Sequence, residues 1–388
     1  MRLSNFDINE LTDWRHLLHR TPELSGEEEQ TAARVFQMLA ATGPDRTVTG
    51  LGGHGVAALY EGNAPGPCVM LRCELDALPI QELSDFDHVS ETRGRAHLCG
   101  HDGHMTMLAA MARMLGRHRP ARGSVLLMFQ PAEENGAGAR AVVADPAFAD
   151  LRPDYAFAIH NMPGLAFGDV AVKPGPVSCA SRGMRIALTG QTSHAAEPEK
   201  ARSPMLALAQ LMPDLTALAE GQPGQEDFAL VTVTHARMGE PAFGVTPGEA
   251  EVFATLRTLT DDRMAALVAS AEEMVQQAAA QSGLRCHITY EDVFDATTNA
   301  PEAFEIATRA LDRLGVPHTP GPLPMRASED VGCFGAQIPL AFMLLGAGED
   351  HPPVHTPHYD FPDELIQHGA AIYSAILDEI LSGTNNDT

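Results

Sequence analysis

The 388 residues carry 26 lysines and arginines against 51 aspartates and glutamates, a formal net charge of −25. A surface this acidic repels nucleic acid and anionic membranes, so neither is expected as a partner. With 44% hydrophobic and 20% charged residues the chain can build a sizeable core, which excludes a disordered protein, and its length calls for two domains.

The opening stretch MRLSNFDINELTDWRHLLHR has no apolar segment of the kind a signal peptide needs. No uncharged apolar run anywhere approaches the ~18 residues of a membrane-spanning helix. The six cysteines, Cys68, Cys73, Cys99, Cys179, Cys286 and Cys333, lack framework spacing, and reduced thiols in a cytoplasmic protein are the expectation. Two amphipathic helices open the chain. The second is expected to begin near Ser25, with Glu27-Glu28-Glu29 as an acidic first turn that suits the positive end of a helix.

Four short apolar runs follow, each running into reactive side chains. Pro67–Arg72 leads to Glu74-Leu75-Asp76, Ser124–Phe129 to Glu133-Glu134, Tyr155–Ile159 to His160, and Leu340–Leu345 towards His355. Apolar runs of this length between helical stretches read as buried strands of an α/β sheet, and ligands gather at the carboxyl ends of such strands. Between the third and fourth runs the pattern changes. Met184–Leu188, Ala229–Ala236, Glu251–Leu259 and Cys286–Glu291 read as strands, and 203–219 and 261–281 as helices. That β-α-β-β-α-β order is ferredoxin-like. The expected division is residues 1–180 and 294–388 for a discontinuous α/β catalytic domain and 181–293 for the inserted one.

The strongest local signal is Cys99-Gly100-His101-Asp102-Gly103-His104, ahead of a helical run. A glycine turn lets thiolate and imidazole converge, and both suit zinc and its transition-metal neighbours. Adjacent carboxylates at an interior strand end, Glu133-Glu134, repel unless a cation offsets them. One can bind a metal while its neighbour takes a proton from water. His160 closes a strand, and the rigid, proline-rich stretch His351–Asp360 contributes His355. Each signal alone also fits a buried thiol, a capping histidine or a surface turn. Together they make a complete ligand set for two metals.

In this ordered set the chain resembles, over nearly its full length, the metallo-amidohydrolases that include hippurate hydrolases, indole-acetyl-amino-acid hydrolases and bacterial aminoacylases, relatives of the zinc carboxypeptidases. The matching stretches are Glu74–Ile80, His97–His104, Phe129–Glu134, His160–Pro163, Ser193-His194, Ala327–Asp330 and His355–Asp360. The resemblance implies a mixed-sheet, di-metal catalytic domain and an inserted lid that makes a homodimer contact, a tetramer remaining open. It implies two divalent ions per subunit, manganese or zinc with cobalt and nickel as alternatives. Cys99 would be shared between them, with His101, Glu134, His160 and His355 completing the shells. Glu133 would be the general base and His194, in its own or the partner's site, would lie near the substrate carbonyl. Asn161 and Arg257 would be substrate contacts. The implied reaction is hydrolysis of a small N-acylated substrate, an N-acyl amino acid or related amine. A dipeptidase, a ureido hydrolase or a silent metal-dependent binding homologue are the alternatives.

Three departures bear on the substrate. Glu74-Leu75-Asp76 stands where Asp-Met-Asp is usual, Gly244 where an asparagine is common, and Glu197-Pro198-Glu199 where Met-Pro-His is usual. Two added carboxylates near the substrate entrance argue for a neutral or cationic substrate.

Overall fold

The computed structural model describes residues 3–151 and 153–382. It divides into two compact units. The first comprises the chain to Val177 with Thr297–Leu323 and Asp330 onward; the second comprises Ser178–Ala296 with Pro324–Glu329.

The first unit is built on an eight-stranded mixed sheet. Its order is Arg46–Leu51, Gly55–Glu61, Ser124–Gln130, Cys68–Glu74, Tyr155–Pro163, Leu340–Gly348, Val170–Ala171 and His318–Thr319. The four apolar runs form its parallel centre: Cys68–Glu74 pairs in parallel with Ser124–Gln130 and Tyr155–Pro163, and the last pairs in parallel with Leu340–Gly348. Cys68–Glu74 is buried along its whole length. That is why it reads as an unbroken apolar run rather than an alternating one. Parallel pairing brings the carboxyl ends of all four strands to one edge of the sheet.

Helix His101–Arg117 is buried through most of its length and packs against Asn5–Arg20 and Leu365–Leu381. Its entry is set by Gly100, at φ +96°, a conformation costly for any residue with a Cβ. The second helix begins at Glu29, four residues after Ser25. The intervening groups are used elsewhere: the Ser25 hydroxyl donates to Asp76 (2.7 Å) and Glu28 accepts the Ala132 N–H (2.7 Å). What reads as an acidic helix start is a brace for two loops of the site.

The second unit is a four-stranded antiparallel sheet in the order Ala229–Met238, Glu249–Thr258, Ala180–Thr189, Arg285–Phe294. Helices Met205–Thr216 and Asp261–Gln281 supply its apolar cover. The Thr260 hydroxyl caps the second helix by accepting the Arg263 N–H. Segment 324–329, far along the chain, belongs here for a visible reason. The Cys179 N–H donates to the carbonyls of Met325 and Ala327, and Arg257 donates from Nη1 to the Arg326 carbonyl (2.8 Å) and to Ser328 Oγ (3.0 Å).

None of the six cysteines is in a disulfide. No helix among the described residues is long and apolar enough to cross a membrane.

Candidate metal centre

Cys99, His101, Glu133, Glu134, His160 and His355 come together at the carboxyl edge of the first unit's sheet. Cys99 Sγ stands 3.3 Å from His160 Nε2 and 3.3 Å from His355 Nε2. Two ligand sets meet on that sulfur: Cys99, His101 and His160 on one side, and Cys99, Glu134 and His355 on the other, the donor atoms of each within 4.8 Å of one another.

Each imidazole is oriented by its second nitrogen. His101 Nδ1 faces the Asp76 carbonyl (2.8 Å) and His160 Nδ1 the Asn161 carbonyl (2.6 Å). A carbonyl can only accept, so both rings donate from Nδ1 and turn Nε2 into the site as the nitrogen left for a metal, as metal-binding histidines do. His104 is the opposite case. Its Nε2 accepts the Asn161 N–H (3.1 Å) and its Nδ1 meets Glu74 (2.7 Å), so neither nitrogen is free for a metal.

The two carboxylates are presented by a tight turn. Ala132 lies at φ +48°, a strained region for alanine. A Cβ on Gly138 would lie 1.6 Å from the Pro131 carbonyl oxygen, so only glycine lets the chain close behind the pair. Glu133 Oε1 accepts the Asp330 N–H (3.4 Å), and the Asp76 carboxylate accepts the Glu134 N–H (2.9 Å). His355, at φ +62°, is pinned by its N–H donating to the Leu98 carbonyl (2.7 Å). Its side chain is 48% exposed, which leaves the site open on that flank.

The electrostatics call for a positive charge at the centre. Burial alone would lower the pKa of His101, but the carboxylates of Asp76, Glu74 and Glu134 outweigh it and raise it to about 10. Burial pushes Glu134 up to about 7, against the pull of His101. Burial, with His104 as a neighbour, holds His160 well below the ordinary imidazole range, and burial, with His101, lowers His355. His101 Nε2 and Glu134 Oε1 are buried without a hydrogen-bond partner. Such atoms are costly to desolvate unless a cation meets them. Thiolate, imidazole and carboxylate in this geometry fit divalent metal ions.

Behind the ligands lies a network that sequence reading noted only as acidic residues. Arg72, fully buried, bonds Glu74, Gln130 and Asp330, and Glu74 in turn holds His104. Arg15, His19 and Asp102 form a second buried group with Glu82, His88 and Asp360. An arginine inside an apolar strand, as in Cys68-Val69-Met70-Leu71-Arg72, was the available signal, since a buried charge demands partners.

The expected substrate contacts fare differently. Asn161 is 1% exposed, and its amide is spent on Cys99 and Tyr359, so it has nothing to offer a substrate. Arg257 is engaged with the 324–329 segment. In the second unit His194 lies on a short ribbon, Ser193-His194 against Val245-Thr246, with the Ala195 N–H donating to the Gly244 carbonyl. Its Nδ1 accepts the Ala196 N–H (3.0 Å), which leaves Nε2 as the N–H donor. Of the two carboxylates nearby, Glu197 pairs with Lys200 (2.5 Å), so the local negative charge is half what the sequence suggests.

Comparison with known proteins places this site in context. The model of peptidase family M20/M25/M40 matches residues 70–379, which takes in every ligand candidate. The chain belongs to peptidase family M20/M25/M40. Membership makes it a hydrolase of amide bonds. This M20-family chain is 31% identical over 385 residues to an IAA-amino acid hydrolase of Arabidopsis thaliana (ILR1-like 5), covering 94% of this chain and 86% of that protein. It is 29% identical over 364 residues to the hippurate hydrolase of Campylobacter jejuni, covering 93% and 94%. Among solved structures it superposes on a dinuclear metal binding peptidase of the M20 family, the YXEP protein of Bacillus subtilis. The TM-score is 0.81 at 25% identity, with 97% and 98% of the chains covered.

Proposed function

We propose that this metal-dependent, aminoacylase-like amidohydrolase cleaves small N-acyl amino acids, with Cys99, His101, Glu134, His160 and His355 holding two divalent ions and Glu133 moving the proton. The observation that carries the reading is the position of Cys99 Sγ, 3.3 Å from the Nε2 atoms of both His160 and His355, beside His101 Nε2 and Glu134 Oε1, which lack a hydrogen bond and face each other at 3.9 Å. One sulfur shared by two ligand sets suits a pair of ions better than a single one. Thiolate and imidazole favour zinc, with manganese, cobalt and nickel the other candidates. Bound divalent ions supply Lewis acidity, polarising the amide carbonyl and making water a competent nucleophile near neutral pH.

The protein's own groups do the rest. Glu133, next to the ligand Glu134, accepts the Asp330 N–H and lies 4.0 Å from His101 Nε2, and it takes the proton of the attacking water. It returns that proton to the departing nitrogen, a transfer typically worth 10²–10⁴-fold. His194 Nε2–H donates to the carbonyl oxygen as it gains charge; the Ala196 N–H on Nδ1 selects the tautomer able to do so. The second unit, with its ferredoxin-like strand order, acts as the lid and as the contact of a homodimer. The substrate is a small acylated amino acid with a neutral or cationic amine portion.

The test is free-amine release from a panel of N-acyl amino acids, dipeptides and carbamoyl compounds. Wild type and Glu133→Gln would be compared, each stripped and reloaded with Mn²⁺ or Zn²⁺. Metal-dependent turnover of the acyl amino acids, lost in Glu133→Gln at equal metal content, supports the proposal. Turnover confined to dipeptides or carbamoyl compounds overturns the substrate class. Absence of turnover with metals bound points to a binding protein.

A further inference from the structure

The side-chain amide of Asn161 lies where the three segments that carry Cys99, His160 and His355 meet. Asn161 directly follows His160 on its strand. Its Nδ2 donates to the Cys99 carbonyl (2.7 Å), and its Oδ1 accepts the hydroxyl of Tyr359 (2.5 Å), four residues beyond His355. Its backbone N–H donates to His104 Nε2 (3.1 Å), on the helix that His101 begins. Asn161 is 1% and Tyr359 0% exposed, so water does not compete for these bonds. The fit against the turn between Cys99 and His101 is close. A Cβ on Gly100 would stand 2.4 Å from Asn161 Nδ2 and 2.6 Å from the Tyr359 hydroxyl oxygen.

We infer that Asn161 is a positioning residue for the metal centre: one amide ties the Cys99 carbonyl to the His355 segment through Tyr359, and so sets Cys99 Sγ at equal distances from His160 and His355. The inference rests on the proposed metal reading. The chemistry of the residue is specific. Its Nδ2 faces the Cys99 carbonyl and also His104 Nε2 (3.1 Å), both of which need a donor, and its Oδ1 faces a hydroxyl, which here donates and needs an acceptor. A short planar amide supplies both. Aspartate would turn a carboxylate oxygen towards the Cys99 carbonyl. Leucine has the shape but neither bond. Glutamine is one methylene longer and would press into Gly100. Tyr359→Phe removes a single oxygen and cuts only the link to the His355 segment.

The test uses the full-length protein stripped of metal and titrated with Co²⁺, whose thiolate charge-transfer absorption in the near ultraviolet reports the Cys99–metal bond. Affinity is read by chelator competition, and far-ultraviolet circular dichroism of each metal-free variant checks the fold. The wild type is expected to show the thiolate band. Asn161→Leu and Asn161→Asp are expected to lose about 10–100-fold in affinity, with a weakened or displaced band, and Tyr359→Phe to show a smaller loss in the same direction. Should Asn161→Leu fail to fold, Tyr359→Phe decides. Variants that fold and keep wild-type affinity and absorption overturn the positioning role while leaving the metal reading intact. A wild type that binds Co²⁺ without a thiolate band overturns both.

Discussion

At the scale of single residues the site separates groups that meet the reaction from groups that aim them. Cys99, the two carboxylates and three imidazoles converge, while Glu74, Asp76, His104 and Asn161 are buried one step behind and touch only protein. The convergent set was legible in the sequence because its members are chemically unusual at strand ends. Asn161, expected as a substrate contact, is buried with its side-chain amide bonded to protein, and burial of a polar residue beside a ligand histidine leaves no local mark in the sequence. His104, in the same motif as Cys99 and His101, has both of its nitrogens engaged by protein. In the proposed mechanism His194 acts on the substrate carbonyl, and its replacement would isolate that oxyanion contribution. His194→Ala should leave metal content unchanged and lower kcat by about 10²–10³-fold, the usual cost of losing one donor to a developing oxyanion. Metal analysis alongside steady-state kinetics checks it, and an unchanged kcat would remove His194 from the mechanism.

At the scale of elements, helices deliver the site as much as strands do. Helix His101–Arg117 begins at a ligand, and its Gly103 faces the ring of Phe361, where an added Cβ would lie 2.2 Å from the ring carbon Cγ. Phe361 is almost fully buried and cannot swing aside. Gly103→Ala should therefore destabilise the fold by about 1–3 kcal/mol, as overpacking generally does, and weaken metal retention because Phe361 follows the His355 segment. Urea unfolding and chelator competition on one preparation measure both effects. The first helix, Asn5–Arg20, is anchored differently. Burial opposes a charge on His19, but Asp102 (2.8 Å) and Glu82 (3.2 Å) overcome it and raise its pKa to about 9, with Arg15 pulling the other way and Asp360 at 3.8 Å. A pKa raised on folding stabilises fully below the unfolded value near 6.5 and is lost as pH rises through about 9. Stability should thus fall between pH 6.5 and 9 by up to about 3 kcal/mol. His19→Gln should be less stable at pH 6 and lose the dependence. Chemical denaturation of both proteins at fixed metal loading across that range decides it.

At the scale of the whole molecule, the alternation of buried runs and helices was enough to expose a parallel α/β centre, because fully buried strands write themselves as apolar runs. The strand Ala229–Met238 and the helix Asp261–Gln281 were equally plain. Segment 324–329 was not, since its place beside Cys179 depends on long-range hydrogen bonds that leave no local pattern. The same reasoning extends to what the ligands cost when empty. The first unit buries His101 Nε2 and Glu134 Oε1, 3.9 Å apart and neither of them hydrogen-bonded, at the meeting point of three separate chain segments. Ions that bind this arrangement and not the unfolded chain stabilise the folded state by RT ln(1 + [M]/Kd), about 2.7 kcal/mol at a hundredfold excess over Kd. Chelation should therefore lower the thermal midpoint by several degrees, and Zn²⁺ or Mn²⁺ should restore it in a concentration-dependent way. The effect should be confined to unfolding of the first unit, because every ligand candidate lies there. Cys99→Ser should shrink the increment without altering the metal-free midpoint. Calorimetry of wild type and Cys99→Ser, with and without chelator, separates the two terms: an equal metal increment in both would mean that the ions stabilise the fold from somewhere other than the cluster around Cys99.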